Sequence, residues 1–471
     1  MASDHSAPIE VDGGTVMIGF RGDSLSNSGL AAWLIALTAT LLTWAGPAGA
    51  VPSYARQTGQ PCAGCHVGSF GPQLNTFGRE FKLRGYTISA SDSAKLPVSA
   101  MMVVSYSHTA EDQSGNAGPY DGPNDNVSIQ QLSLFVAGRL TEHIGVFSQV
   151  TYSDIDKHVA MDNYDIRYAK AFTSGKHAGV FGLSINNNPG LSDLHHSQAA
   201  WRFPFIGSEL APVPAAAVLS DGGLAQQVIG ADAYVSVDST LYASFGLYRT
   251  MSAAFLARIN ADYGGRIVGV APYWRLSWQP GWGGGLALGL SGLHARIAPE
   301  SSSTLSNRYD DFGMDAEYEK NVGADGGDLL TINANFTHER QRLDAAFASE
   351  EADRIGHSLN SANISASYHV DTTYGLTVGW FDVSGTRDSL LYAPAPDSGS
   401  LGSPGTRGEI LQADWTPFGK AGSYRQPWLN LRLGIQYTHY DKFNGARSNF
   451  DGFGRAASDN DTLFVFLWTA I

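Results

Sequence analysis

After about residue 96, apolar and polar side chains alternate along successive short stretches of the chain. One stretch shows the pattern clearly, because Leu429, Leu431, Leu433, Ile435 and Tyr437 alternate with Asn430, Arg432, Gly434, Gln436 and Thr438. A period of two places one set of side chains on each face of a β-strand. Polar stretches rich in Gly, Asp, Ser and Asn separate these segments. The pattern therefore predicts a mostly β chain.

The alternating segments number about sixteen. They lie near 98–108, 128–140, 143–155, 161–172, 176–187, 225–237, 239–250, 266–278, 284–297, 309–320, 328–341, 354–370, 373–385, 407–417, 427–441 and 459–470. An even number of antiparallel strands is what a bacterial outer-membrane barrel requires. The last segment would close such a barrel.

The connections between the segments also favour a transmembrane antiparallel β-barrel. Connections after even-numbered segments are mostly tight, at Thr141-Glu142, Asp238 and Asp371-Thr372. Connections after odd-numbered segments are mostly long, at 109–127, 188–224, 251–265, 386–406 and 442–458. This alternation is typical of periplasmic turns and extracellular loops, and it places the start of the barrel on the periplasmic side. Aromatic residues near segment ends predict girdles at the lipid–water interfaces: Tyr106, Tyr152, Tyr248, Trp274, Trp278, Trp380, Trp415 and Tyr437.

The N-terminal region divides into two parts ahead of the barrel. An apolar run from Leu30 to Trp44 is followed by the small residues Ala48-Gly49-Ala50, which is typical of a cleaved secretory signal peptide over 1–50, with a retained membrane anchor as the alternative. Residues 51–95 would form a small separate domain, and 96–471 the porin-like barrel. A segment that short cannot bury a core of its own. We therefore expect it in the barrel lumen or at the periplasmic mouth.

Residues Cys62-Ala63-Gly64-Cys65-His66 form a C-x-x-C-H motif and contain both cysteines of the chain. This motif attaches haem covalently, because two thiols at this spacing can bond one porphyrin and the following histidine can ligate its iron. A redox C-x-x-C motif would open a helix in a βαβ pattern, and a zinc site would need further Cys or His ligands at suitable spacing. The motif thus predicts one haem c, bound by Cys62 and Cys65, with His66 as an axial iron ligand.

Other residues are candidates to complete this site. The second iron ligand is left open between Met101, Met102 and His108 on the first strand, another barrel histidine, and an open coordination position. Met101 and Met102 point to opposite faces of a strand, so at most one can face the lumen. A basic cluster, Arg79, Lys82 and Arg84, suits the haem propionates, although these charges could instead face solvent or acidic lumen residues.

The net charge of −14 argues against nucleic acid as a partner. Five acids are expected to face the lumen, where they could concentrate metal cations or belong to an ordinary polar lumen: Asp165, Asp311, Asp315, Glu317 and Glu319. Asp162 and the pair His195-His196 are weaker candidates, because adjacent loop histidines are usually exposed. The Pro- and Ala-rich loop 188–224 that contains this pair could fold into the lumen as a constriction.

The N-terminal residues resemble those of a known family. The similarity lies in Val51 to Gly59, Cys62 to His66, Pro72 to Leu74 and Phe77 to Tyr86, and a family-like loop is formed by Asn188 to Leu194 with Ala200 to Pro204. These stretches resemble outer-membrane monohaem c-type cytochrome–porin fusions, which iron-oxidising bacteria use to take electrons from extracellular Fe(II). Asn75-Thr76 and the connection Val67 to Gly71 depart from the family pattern.

The resemblance implies electron transfer across the outer membrane. Fe(II) outside the cell, or another donor, would be oxidised at the single haem, and a periplasmic carrier such as a soluble cytochrome would accept the electron. Such fusions also occur in bacteria not known to oxidise iron. Two alternatives therefore remain open: outward electron transfer to an extracellular acceptor, and a transport porin that the haem domain plugs or gates.

Overall fold

The computed structural model describes residues 52–91, 97–198, 200–280, 285–299, 304–323, 327–392 and 402–471. The predicted signal peptide, 1–50, lies outside these residues. The strands in chain order are β1 (Val98–Thr109), β2 (Asn126–Arg139), β3 (Ile144–Ser153), β4 (His158–Ser174), β5 (His177–Asn186), β6 (Val228–Val237), β7 (Leu241–Thr250), β8 (Arg266–Ile267), β9 (Ala271–Trp278), β10 (Gly285–Ala298), β11 (Asn307–Val322), β12 (Asp328–Arg342), β13 (Gly356–Val370), β14 (Tyr374–Gly385), β15 (Thr406–Trp415), β16 (Asn430–Lys442) and β17 (Thr462–Ala470).

The helices are short. They are α1 (Pro52–Thr58), α2 (Cys62–Cys65), α3 (Thr76–Leu83), α4 (Ala253–Arg258) and α5 (Asp344–Ala348). Single helical turns also occur at Val67–Ser69, Pro189–Ser192, Leu219–Gly223 and Ala457–Asn460. Within the described part of the chain, none of the helices has the length and apolar character needed to cross a bilayer.

The strands form one closed antiparallel barrel. Each strand pairs with its neighbours in the chain, and β1 pairs with both β2 and β17, which closes the sheet. The short strand β8 and strand β9 both pair with β10 and together form one interrupted wall segment, so the barrel has sixteen strands. Every predicted segment coincides with a strand of the structure. The predicted fold class is therefore confirmed.

Alternation along the strands separates a lipid face from a lumen face. On β2, Leu134 points outward and is 53% exposed, whereas its neighbours Ser133 and Phe135 point inward and are buried. On β11, Phe312 and Met314 point outward in the same way. A closed barrel leaves no unpaired strand edge, and an apolar outer band is what lipid requires. The protein is therefore a porin-like barrel of the outer membrane.

The girdle prediction is wrong at one position. Trp278, Trp415 and Tyr437 face outward as expected. Tyr248 instead points into the lumen and is fully buried, because it shares the inward face of β7 with Tyr242. The absence of a side chain at Gly230 leaves the room that the Tyr248 ring occupies, since a Cβ there would lie 2.1 Å from the ring.

The closing strand β17 carries aromatic residues on its lumen face. Phe464, Phe466 and Trp468 are buried there. They pack in one apolar cluster with residues from the N-terminal segment, the barrel wall and the β5–β6 connection: Phe70, Met101, Val103, Phe135, Ala137, Ile206 and Ala470. The lumen next to β17 and β1 is thus apolar, although most of the lumen face is polar.

Two segments enter the lumen from opposite ends. The N-terminal segment, residues 52–91, contacts the end where the β2–β3 and β13–β14 turns are tight, through Tyr54 Oη donating to the Val146 carbonyl and Ser69 Oγ to Thr372 Oγ1. The described residues of the β5–β6 connection, 187–198 and 200–227, enter from the end with the long loops, and we call them the inward segment. The prediction that this loop folds into the lumen is confirmed by its bonds to lumen-facing strand residues.

Candidate functional site in the barrel lumen

The C-x-x-C-H motif forms helix α2 and the residue that follows it. Cys62 and Cys65 are the first and last residues of this four-residue helix, and both thiols are free. Both line the same lumen cavity. Burial raises the pKa of Cys62 to about 11 and that of Cys65 to about 12, so the thiols are protonated at neutral pH.

His66 is oriented by a backbone carbonyl. Its Nδ1 lies 3.2 Å from the Gln73 oxygen, so Nδ1 carries the proton that is donated to this carbonyl. This bond leaves Nε2 available as a metal ligand, which is the usual arrangement for a ligating histidine. Burial lowers the pKa of His66 to about 4, so the ring is neutral, and the neutral ring is the form that binds metal.

Helix α3 packs tightly on the motif. Asn75 caps this helix by accepting from the Gly78 amide at 3.1 Å, and its side chain also donates to the Ala63 carbonyl at 3.0 Å. A Cβ at Gly78 would lie 2.2 Å from the Cys65 carbonyl oxygen. Asn75, which departs from the family pattern, therefore joins α3 to the motif, and Gly78 allows their close approach.

The barrel wall fixes the other side of the motif. The Ala63 amide donates to the Gly419 carbonyl at 2.9 Å. Asn430 Nδ2 donates to the Ser69 carbonyl at 2.7 Å, and Arg432 contacts the carbonyls of Phe70 and Gly71 at 3.5 and 3.4 Å. The connection after His66, which also departs from the family pattern, is thus the part of the N-terminal segment that is bonded to β16.

The motif opens onto a cavity of about 380 Å³ inside the lumen. The N-terminal segment, the barrel wall and the inward segment all line it. The motif side contributes Cys62, Cys65 and His66. Apolar and aromatic walls come from Tyr54, Phe70, Phe81, Met101, Phe135, Phe147, Leu191, Trp201 and Trp468. Polar side chains line it as well, among them Gln131, Gln149, Asp162, Asn163, Arg202 and Asn430. A cavity with extensive apolar and aromatic walls and several polar groups suits a large planar cofactor.

The inward segment is held by buried charges. Arg275 on β9 bonds both oxygens of Asp315 at 2.8 Å and also pairs with Asp193 of the inward segment at 3.0 Å. His195 Nδ1 lies 2.5 Å from Glu317. Both contacts join the inward segment to the barrel wall, so the lumen acids of β11 hold this segment in place.

Asp193 also shapes the turn that contains the two histidines. Its carboxylate accepts from the backbone amides of His195, Ser197 and Gln198, at 2.8 to 2.9 Å. Within this turn, His196 has the left-handed backbone angle φ of 55°. His195 therefore points to Glu317, whereas His196 lines the cavity and is buried. Burial lowers the pKa of His196 well below its usual value.

The three predicted propionate partners lie in different environments. Lys82 is buried and lines the cavity, and its Nζ donates to the Asp193 carbonyl at 2.6 Å. Burial lowers the pKa of Lys82 to about 7. Arg79 bonds Glu319 at 2.9 Å, which is the alternative that the sequence left open. Arg84 is partly exposed and pairs with Glu80. Lys82 is therefore the member of this cluster that faces the cavity.

The candidates for a second iron ligand are also separated. Met101 is buried and lines the cavity, whereas Met102 lies on the opposite face of β1. His108 lies near the long-loop end of β1, is 42% exposed in its side chain and bonds Asp125 at 2.9 Å. His108 and Met102 are not among the residues that line the cavity, and Met101 is.

The lumen acids are engaged by partners. Asp315 and Glu319 bond the arginines described above, Glu317 bonds His195, and Asp311 accepts from the Ser220 amide at 2.8 Å. Asp165 accepts from Arg167 at 2.6 Å and from Tyr86 Oη at 2.7 Å. These contacts favour a structural role over the attraction of cations. Asp162 is the acid that lines the cavity, where it accepts from Gln226 at 2.9 Å.

Sequence reasoning gave little weight to His196 and did not single out Trp201. The family-like stretches near these two residues are the sequence feature that could have indicated them. Neither residue lies in an alternating segment, so the pattern does not predict where its side chain points. The rings of His196 and Trp201 lie 6.2 Å apart, and Lys82 Nζ lies 5.7 Å from the Trp201 ring. His196 and Trp201 of the inward segment thus meet Lys82 of the N-terminal segment at the cavity wall.

The solved structures that resemble this chain include outer-membrane β-barrels. No protein-family model matches the chain, and no curated protein sequence matches it. Solved structures of similar fold include a loop L8 deletion mutant of OmpT from Vibrio cholerae, at 11% identity and TM-score 0.44, over 79% of this chain and 97% of that one. An anion-selective porin from Comamonas acidovorans shows 10% identity and TM-score 0.44, over 79% and 98%. The barrel assignment rests on the strand register and the outward apolar band.

Proposed function

We propose that this protein transfers electrons across the outer membrane through one covalently bound haem, and that it oxidises extracellular Fe(II) and passes the electrons to a periplasmic carrier. The observation that carries the proposal is the lumen cavity onto which Cys62, Cys65 and His66 open together. When bound there, haem would supply one-electron redox chemistry at a site enclosed by the barrel.

The residues of the cavity fit such a group. Cys62 and Cys65 offer two free thiols that line the same cavity, in the C-x-x-C-H order that attaches haem, and His66 offers a neutral ring nitrogen. Phe70, Phe135 and other aromatic side chains give the cavity apolar walls. Lys82 and Arg202 are basic residues of the lining, and a basic side chain suits a haem propionate.

The occupied lumen favours electron transfer over solute transport. The N-terminal segment enters from the tight-turn end, and the inward segment enters from the long-loop end. They meet at the cavity, which Lys82 and His196 line from the two sides. Because long loops face outward and tight turns face the periplasm, an electron that crosses the barrel would pass from one segment to the other.

The choice of Fe(II) rests on the resemblance of residues 51–88 to the cytochrome–porin fusions. The same arrangement would support outward electron transfer if the haem potential lay below that of an external acceptor. Solute transport is the second candidate function, because the barrel is porin-like. It would require a conducting path past the two segments.

The proposal is tested by expressing the protein together with haem-maturation enzymes. We expect haem to stay with the denatured chain, and to be lost in the Cys62→Ser/Cys65→Ser variant. Anaerobic Fe(II) should then reduce the oxidised haem, which its α-band reports. Haem that dithionite reduces but Fe(II) does not would overturn the choice of Fe(II). A chain without covalent haem that conducts ions in planar bilayers would overturn electron transfer in favour of a porin.

A further inference from the structure

One buried histidine of the cavity has no evident role in holding the fold. His196 is 3% exposed, and neither of its ring nitrogens has a hydrogen-bond partner among the described residues. A buried imidazole needs at least one partner, because it has lost the hydrogen bonds that water would give. The ring lines the cavity that Cys62, Cys65 and His66 line from the other side.

The turn around His196 holds this unpaired ring in place. Asp193 accepts from three backbone amides of the turn, and Arg275 pairs with Asp193 from the barrel wall. His196 itself has φ of 55°, a backbone conformation that non-glycine residues seldom adopt. A costly conformation persists only where its surroundings impose it, so the turn fixes the backbone from which the ring extends toward the cavity.

The neighbouring candidates for the second ligand are Met101, His195 and His369, and each has a different environment from His196. Met101 packs in the apolar cluster with Phe135 and Trp468, where a thioether needs no polar partner. His195 is bonded to Glu317. His369 has an unpaired buried Nδ1, but it packs beside Gly68 and is not among the residues that line the cavity. Met101 and His196 both line the cavity, but His196 is the one whose buried polar ligand atoms lack the partner that burial requires.

We propose that His196 would supply the second protein ligand of the haem iron, with His66 as the first. This inference rests on the proposed covalent haem, and it deepens that proposal by naming the ligand that the sequence left open. It also gives the inward segment a function, since the loop that enters from the outer side would then bind the iron directly.

Ligation by two histidines has consequences that differ from those of ligation by methionine. Two imidazoles are strong ligands and make the ferric iron low-spin. They also give a lower reduction potential than a histidine–methionine pair. Replacing His196 by methionine should therefore raise the potential, whereas replacing Met101 should leave the ligand set unchanged.

The test compares purified holo-protein of the wild type, His196→Ala and the control His108→Gln, which changes a partly exposed histidine outside the cavity lining. Covalent haem is first measured on the denatured chain. We expect a low-spin ferric electron paramagnetic resonance signal for the wild type and the control, and a high-spin signal for His196→Ala. Added imidazole should restore the low-spin signal of His196→Ala by filling the place of the missing ring.

The outcomes separate this inference from the proposed function. A wild-type chain without covalent haem would overturn the proposed function and this inference with it. Covalent haem that is high-spin in the wild type, or that stays low-spin in His196→Ala, would overturn the inference alone. If the signal stays low-spin in His196→Ala, loss of the low-spin signal in Met101→Leu would assign the ligand to Met101. A high-spin signal that imidazole does not convert would indicate a collapsed cavity, and it would also count against His196.

Discussion

Arg275 is the residue whose removal should most clearly release the inward segment. Its guanidinium bonds Asp315 through two contacts of 2.8 Å and Asp193 through one of 3.0 Å. The two carboxylate side chains are 3% and 0% exposed. In Arg275→Met, a side chain of similar length would fill the space, but both acids would stay buried without their cation.

The cost of this change falls on the docking of the inward segment. Removing one partner of a buried ion pair costs about 3–5 kcal/mol. The backbone hydrogen bonds of β9 do not involve the guanidinium, so the barrel wall should remain closed. Since about 1.4 kcal/mol is a factor of ten, the undocked population should rise roughly a hundred- to several-thousand-fold.

Proteolysis from the outer side measures this population. Protease added to sealed proteoliposomes, or to whole cells, should cut the inward segment of Arg275→Met much faster than that of the wild type, while the strands stay protected. The matched control is Arg308→Met at the barrel rim, where the pair with Asp310 is exposed and should contribute no more than about 1 kcal/mol. Equal cleavage rates in the wild type and Arg275→Met would refute the role of the buried charges.

Three further predictions follow from the packing, the lipid face and the thiols. Gly78→Ala places a Cβ against the Cys65 carbonyl, so we expect a cost of about 1–3 kcal/mol and loss of Soret-region circular dichroism at lower urea concentration. Leu134→Arg puts a charge on the lipid face in mid-strand and should destabilise folding into vesicles by about 2–4 kcal/mol, measured by urea titration. In haem-free protein, Cys62 and Cys65 should react slowly with iodoacetamide at pH 8 and faster up to about pH 11, because burial raises their pKa values to about 11 and about 12.

Each of these predictions has a control. A Cβ at Gly115 would meet no atom within 4 Å, so Gly115→Ala should leave the urea midpoint unchanged. Leu140 is exposed just beyond the end of β2, where an added arginine should cost no more than about 1 kcal/mol. Urea-denatured chain should alkylate with the pH profile of ordinary cysteine, with a pKa of about 8.5. An identical profile for the folded, haem-free protein would contradict the burial of the two thiols.

The barrel was predictable because its pattern is local. Each strand needs only alternating side chains and a polar connection, and both are visible within about a dozen residues. Tyr248 was misplaced because an aromatic residue near a strand end suits either face, and its direction depends on the room beside Gly230. The alternation of side chains along β11 also predicted correctly that its acids face the lumen.

The site was predictable only where its residues are adjacent in sequence. Cys62, Cys65 and His66 form one motif, so their shared position follows from the chain itself. The pairing of Arg79 with Glu319 spans 240 residues, and it decides that this arginine is engaged away from the cavity. His196 lies in a long loop without periodicity, and its neighbour His195 has the same chemistry. The folded turn at Asp193 alone distinguishes the two histidines.

The most direct test of the account is electron transfer across a sealed membrane. Holo-protein would be reconstituted into proteoliposomes that enclose ferricytochrome c, and Fe(II) bound to a membrane-impermeant chelator would be added outside. We expect the enclosed ferricytochrome c to be reduced in vesicles that contain the wild-type protein and to stay oxidised in vesicles that contain Cys62→Ser/Cys65→Ser. No reduction by a wild-type protein that carries covalent, dithionite-reducible haem would contradict inward electron transfer from Fe(II).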